Sequence, residues 1–142
     1  MLSTTSEYAI RALCHLACLG DGETILGREL SATTHIPGNY LAKILLALNK
    51  SGIVEAKRGP WGGYRLHKPA ADITLLEVAT IIEGDGVIPN CLLQHSHICS
   101  DDHPCSAHSD WKVVREAFAS FLENTTIARI TSGGFELTTK PK

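Results

Sequence analysis

The chain has 142 residues, 44% of them hydrophobic and 20% charged, with a formal net charge of −2. That length suits one domain, or a small domain with an appendage, and can bury a real core. No apolar run approaches the roughly 20 residues of a bilayer-spanning helix, and the overall charge does not advertise a nucleic-acid partner. The opening Met-Leu-Ser-Thr-Thr-Ser-Glu has neither a basic region nor a long apolar run, so no signal peptide and no membrane contact are expected, and the expected location is cytoplasmic. Thiols stay reduced there, so an odd count of five cysteines is ordinary.

In chain order, Ser3 or Thr4 can cap a first helix that carries Ala9, Ile10, Leu13, Leu16 and Ala17 at helical spacing, with Gly20-Asp21-Gly22 as its stop. Cys14 and Cys18 lie four apart on it, where a buried apolar face explains them. A short helix fits Arg28 to Thr34, and Ile36-Pro37-Gly38-Asn39 makes a turn. A third helix then shows Leu41, Ile44, Leu45 and Leu48 on one face, with Gly52 in the C′ position. Two short helices joined by a tight turn, the second rimmed by Asn39, Tyr40, Lys43 and Lys50, read as helix-turn-helix.

Ile53–Lys57 and Tyr64–Leu66 read as two short strands around Arg58-Gly59-Pro60-Trp61-Gly62-Gly63, a hairpin tip that can approach another backbone closely. A hairpin directly after a helix-turn-helix is the wing of a winged helix, which lies along phosphates or enters the minor groove. Charge distribution agrees. From Ile36 to Lys68 there are six basic residues (Lys43, Lys50, Lys57, Arg58, Arg65, Lys68) against one acid, Glu55. DNA binding is the better reading than a plain solvated hairpin.

Thr74-Leu75-Leu76-Glu77 reads as a capping box opening a helix that Gly84 ends. From Ser109 a longer helix runs to about Asn124, within a dimerisation segment spanning 109–130. Its apolar stripe of Trp111, Val114, Phe118, Phe121 and Leu122 is heavier than one small core requires. Packing against the same helix of a second copy, giving a two-fold homodimer, is its natural use. The tail, 131–142, is expected to be flexible.

Between these helices lies the segment from Cys91 to His108. Cys91, Cys99 and Cys105 are separated by seven and then five residues, His108 follows Cys105 as Cys-x-x-His, and His95, His97 and His103 lie between the cysteines. No apolar period explains the segment, and from Ile81 to Asp110 there are five acidic residues and no Lys or Arg. A disulfide, a Cys3His zinc site and an iron–sulfur cluster are the alternatives. Structural zinc usually takes closer cysteine pairs, so the wide spacing favours a cluster without deciding it. For an enzyme there is no Gly-rich nucleotide loop, and a Cys105–His108 dyad has no substrate-binding features around it.

Taken together, the chain resembles the winged-helix regulators typified by IscR, NsrR and RirA. The residues that carry the resemblance are Tyr8-Ala9-Ile10-Arg11-Ala12-Leu13, Tyr40-Leu41-Ala42-Lys43-Ile44-Leu45, the wing Arg58–Leu66 and the cysteine triplet. The resemblance implies a mainly α (α+β) fold: a winged helix-turn-helix domain at 1–83, a cysteine-rich cluster-binding loop at 84–108 and a long dimerisation helix. It implies a homodimeric transcription regulator, a repressor by expectation, that binds double-stranded operator DNA. Cys91, Cys99 and Cys105 would hold a [2Fe-2S] or [4Fe-4S] cluster reporting iron, redox state or nitric oxide. The fourth ligand is expected to be His108, where IscR-like members place a histidine. Glu7, where NsrR-like members place a carboxylate, is the alternative. Zinc, or a cluster-free regulator using thiol redox chemistry, is the rival. Expected DNA contacts are Asn39, Tyr40, Lys43, Lys50, Lys57, Arg58 and Arg65; the expected interface is Trp111, Val114, Phe118 and Phe121. Trp61 stands where IscR-like wings carry glycine, which implies a change in the DNA sequence read.

Overall fold

The computed structural model describes residues 2–91 and 100–133. Its elements are α1 (Thr4–Ala17), α2 (Gly27–Thr34), α3 (Gly38–Lys50), β1 (Val54–Lys57), β2 (Gly63–Leu66), a 3-10 turn (Ala70–Asp72), α4 (Leu75–Glu83), α5 (His108–Asn124) and α6 (Ile127–Ser132). His95, His97 and Cys99, and the tail from residue 134, lie outside the described residues.

Local chemistry sets most helix ends. Ser3 Oγ accepts from the Ser6 amide at 3.1 Å and starts α1, which stops at Ala17, earlier than Gly20. The Cys18 amide turns back onto His15 O at 3.1 Å and closes that end. At the end of α3, Gly52 (φ 78°) takes the left-handed C′ position. Its amide donates to Asn49 O and that of Ile53 to Leu48 O, the paired bonds of a Schellman turn, with Leu48 and Ile53 both buried. Thr74 Oγ1 accepts from the Glu77 amide at 3.1 Å, but the other half of the expected capping box is spent elsewhere: the Glu77 carboxylate takes Lys68 Nζ at 2.8 and 2.9 Å.

β1 and β2 pair antiparallel, Val54 opposite Leu66 and Lys57 opposite Gly63. Ile25 adds a single-residue third strand: its amide donates to Tyr64 O at 3.1 Å and its carbonyl accepts from Tyr64 N at 2.8 Å. Gly63 is what lets the backbones approach. Its φ is 137°, and a Cβ there would lie 2.5 Å from Ile25 O.

The expected helix from Ser109 to about Asn124 is α5, and the 109–130 segment holds most of a second helix, α6, beyond it. α5 ends at Asn124 because Thr125 O accepts from Leu75 N and Ile127 N donates to Ile73 O, both at 2.9 Å. Thr126 Oγ1 then caps α6 through the Arg129 amide at 3.1 Å, and Ile127 is wholly buried. Residues 131 and 132, expected in the tail, belong to α6. One core gathers Leu13, Leu30, Leu45, Leu48, Ile73, Val78, Leu122 and Ile127 from every helix. We expect Gly63→Ala to cost on the order of 2–3 kcal/mol, since it adds both strain and overlap. The urea midpoint at unchanged slope measures this; a variant as stable as the parent would show that the wing tolerates a side chain there.

Candidate nucleic-acid interface and cysteine site

Burial on α3 divides cleanly. Leu41, Ile44, Leu45 and Leu48 face the core, while Asn39, Tyr40, Lys43 and Lys50 are exposed, as the sequence predicts. Asn39, Lys43, Leu46 and Lys50 fall on one outward stripe, in which Leu46, 55% exposed, went unread in the sequence. The turn before α3 is made by His35, a non-glycine in the left-handed region (φ 58°), and by Ser31 Oγ donating to Ile36 O at 2.6 Å.

Two residues of α1 hold this turn from behind. The Arg11 guanidinium donates to Thr34 O at the end of α2 and lies 5.4 Å from the Tyr8 ring centroid. Tyr8 in turn meets Tyr40 edge to face, with centroids 6.1 Å apart. The start of α3 is therefore braced by an aromatic pair and a cation. Arg28, exposed on the first turn of α2, borders a cleft with Gly38, Ala42 and Tyr64 and extends the cationic side of the same surface. It was not foreseen, and its only sequence signal is a cation opening the helix before the turn.

On the wing, Lys57 and Arg58 are exposed. Arg65, an expected DNA contact, is engaged within the wing itself. Its Nε donates to Glu55 Oε2 across the strands at 3.0 Å, with His67 Nδ1 3.8 Å from the same oxygen. Arg65 and then His67 hold the Glu55 carboxyl below its ordinary value, so part of the wing's positive charge is already neutralised.

The cysteine segment converges in part. Cys91, buried, and Cys105, half-buried, place their Sγ atoms 3.6 Å apart. That is far beyond a disulfide bond of about 2.05 Å. Two thiolates on one tetrahedral metal with bonds of about 2.3 Å would sit roughly 3.7 Å apart. The His108 amide donates to Cys105 O at 3.1 Å, so one turn presents both residues. His108 Nε2 meets Asp101 Oδ1 at 2.8 Å, and Lys112 Nζ bonds the same carboxylate at 3.1 and 3.2 Å. The hydrogen bond from His108, then Lys112, lowers the Asp101 pKa. Trp111 Nε1 donates to Pro89 O at 3.1 Å and fastens the approach to Cys91 onto α5. Arg115 borders the same cleft, its Nε buried without a hydrogen-bond partner among the described residues. Among the described residues no group of three His, Cys, Asp or Glu is close enough to hold a metal. Glu7 is exposed on the first turn of α1.

Of the stripe on α5, Leu122 is fully buried in its own chain and Phe118 packs against the same core. Val114 (47%) and Phe121 (50%) remain exposed, beside Val113 (68%).

Residues 2–133 match the family described as Rrf2, iron-dependent transcriptional regulator. The chain belongs to the Rrf2 family. It is 33% identical over 129 residues to a protein of Aquifex aeolicus (strain VF5) described as an HTH-type transcriptional regulator, covering 89% of this chain and 88% of that one. It is 29% identical over 131 residues to the HTH-type transcriptional regulator IscR of Yersinia pestis, covering 92% and 79%. Among solved structures, CymR (YrzC), the global cysteine regulator of B. subtilis, matches with a TM-score of 0.77 at 23% identity over 95% of this chain and 98% of that one. T. potens IscR matches with a TM-score of 0.75 at 21% identity over 100% and 93%. These two likenesses speak for the fold, and the small sheet is the wing of an Rrf2-type winged helix. As an Rrf2-family protein it is a DNA-binding transcription regulator, not an enzyme. No described helix is long and apolar enough to cross a membrane.

In this Rrf2 protein the brace behind α3 should be measurable. Arg11→Met keeps the aliphatic stem and removes the donor to Thr34 O, so a loss on the order of 1–3 kcal/mol is expected in urea unfolding. Equal stability of parent and variant would mean that water replaces the guanidinium at no cost.

Proposed function

We propose that this protein is a cytoplasmic repressor that binds operator DNA as a homodimer, with its affinity set by an iron–sulfur cluster on Cys91, Cys99, Cys105 and His108. The signal it reports is iron supply, redox state or nitric oxide. The observation that carries the reading is the 3.6 Å approach of Cys91 and Cys105 beside the turn that presents His108. Each iron of a [2Fe-2S] cluster takes two protein ligands, which matches that spacing. A [4Fe-4S] cluster, with one thiolate on each iron, would have to part the pair.

Asp101 supports His108 as the fourth ligand over Glu7. Metal-bound imidazoles commonly hand their second nitrogen to a carboxylate, which fixes ring and tautomer. Here Nε2 is held by Asp101, and Lys112 holds the carboxylate in turn, so Nδ1 would be the ligating atom. Glu7 would have to come from another copy. When bound, the cluster supplies a redox-active and dissociable tie among the thiolates. The chain's own residues do the rest. Trp111 holds Pro89 at the mouth of the loop, and Asn39, Tyr40 and Lys43 meet base edges from α3. Lys50, Lys57 and Arg58 meet phosphates, and Arg65, committed to Glu55, adds less. Exposed Val114 and Phe121 make the centre of the two-fold contact, Phe118 backs it from the core side, and Trp111 flanks it. The same sulfur spacing suits one zinc ion equally well, which is the second reading.

Anaerobically purified protein should be coloured, with visible absorption and equal iron and sulfide; a colourless protein carrying zinc would overturn the cluster. Cys91→Ala, Cys99→Ala and Cys105→Ala should each lose the colour. His108→Ala should keep it with shifted bands and faster decay, and Asp101→Asn should show the smaller form of the same change. If Glu7→Ala alone alters spectrum and decay, the ligand assignment is wrong.

For assembly, Phe121→Glu is the cleaner substitution, because Phe118 also serves its own core. The variant should keep its far-ultraviolet spectrum yet sediment as a monomer, since a charge would be buried unpaired in the interface. A parent protein that is already monomeric at micromolar concentration would rule out the dimer.

A further inference from the structure

Trp61 has 84% of its surface open, the highest exposure among the large apolar side chains described. An indole so placed gains nothing from its own chain, and the tip that carries it is shaped without its help. Gly59 takes φ 102°, and its carbonyl accepts from the Gly62 amide at 2.9 Å. Thr24 Oγ1 donates to the carbonyls of Trp61 and Gly62 at 3.2 and 3.1 Å, tying the tip to the chain before α2. A Cβ on Gly62 would meet Lys57 O at 2.5 Å, so this backbone is held close and admits no side chain beside the indole.

Lys57 and Arg58 stand exposed where β1 runs into the tip, and Lys57 also borders, with Glu23 and Glu29, the shallow cleft beside Trp61. A polyanion would be drawn to Lys57 and Arg58 at the base of the tip, which would bring the exposed indole onto the nucleic acid between its phosphates. The group delivered there has no charge, and its apolar face suits a base or an opened base step rather than a phosphate.

We propose that Trp61 is a specificity-setting DNA contact: its indole enters the minor groove and stacks at a pyrimidine–purine step flanking the bases read by α3. TA and CA/TG steps open most cheaply, so the wing selects for deformability where α3 selects for base edges. The proposal rests on the wing being a DNA contact, as proposed above.

Trp61 and Trp111 are the two tryptophans, so the DNA-dependent quenching that Trp61→Phe abolishes is the part reported by Trp61. The probe is a pool of duplexes with a randomised segment of about three helical turns, selected by the anaerobically purified full chain. Selection is repeated with Trp61→Gly and Trp61→Phe. Trp61 fluorescence should be quenched by the selected duplexes. Trp61→Gly should melt like the parent, bind on the order of tenfold more weakly and lose an enriched pyrimidine–purine step at a fixed distance from the half-sites. Trp61→Phe should recover most of both, with identical half-site bases throughout. Unquenched fluorescence, or a Trp61→Gly pool identical to the parent's, overturns the role of Trp61 while leaving α3 as the reading helix. A uniform loss of affinity with no step preference also overturns it. If the parent protein enriches no sequence, the DNA-reading face itself fails and this contact with it.

Discussion

Helix α1 meets most of the other elements, and the fold depends on that. Ala9 and Ala12 have no exposed surface, and through such small side chains α2, α3, α4, α6 and β2 all pack against one helix. A larger residue at either position would push apart elements that otherwise share a single core. Cys14, on the same buried face, is a small apolar filler. Burial, and next Cys18, push its thiol up to about 12, so it stays neutral and unreactive. From this helix Tyr8 and Arg11 reach forward to Tyr40 and Thr34, so the reading helix inherits its position from α1.

Much of this was legible in the sequence wherever a local rule decides. Ser3, Thr74 and Gly52 cap or end helices as their types require, and the apolar period of α3 correctly separates its core side from its outer side. Where distant residues decide, sequence reasoning fell short. His35 occupies a left-handed position that local preference would give to glycine or asparagine, because the burial of Ile36 and the Ser31 hydroxyl require the turn there. The end of α5 was read at about Asn124, where it lies, but no glycine or proline there gives its cause. Residues 73–75, fifty positions earlier, draw Thr125 and Ile127 out of the helix. Adjacent Phe121 and Leu122 belong to opposite sides, which a stripe read as one surface conceals.

The cysteine triplet shows the same division. Cys91 and Cys105 approach as a shared centre would require, His108 is turned onto Asp101, and Cys99 lies outside the described residues. In the sequence the loop looked uniformly acidic. In space it is met by Lys112 and Arg115 from α5, with Lys112 already holding Asp101. Those cations lower the cost of gathering thiolates nearby, because a negative centre is stabilised by opposite charge at short range, most strongly where burial excludes water.

Both ends of the loop are tied to structural elements. It leaves α4 at Glu83, whose carboxylate accepts from the Ser3 amide and the Ser6 hydroxyl at the N-terminus of α1, where a negative charge also suits the helix dipole. It returns through Cys105 into α5, after Trp111 has fastened Pro89 to that same helix. A ligand that gathered Cys91 and Cys105 would act on the chain between α4 and α5. α4 and α6 flank α1, and α1 braces the turn before α3. A change in the loop can reach the reading helix through side chains already in contact, with no segment needing to unfold. Such a path transmits a signal only if the packing around α1 has two discrete arrangements rather than a continuous range. The close packing of the buried face of α1 favours discreteness, since side chains in a close-packed interior exchange between rotamer wells and do not slide between them.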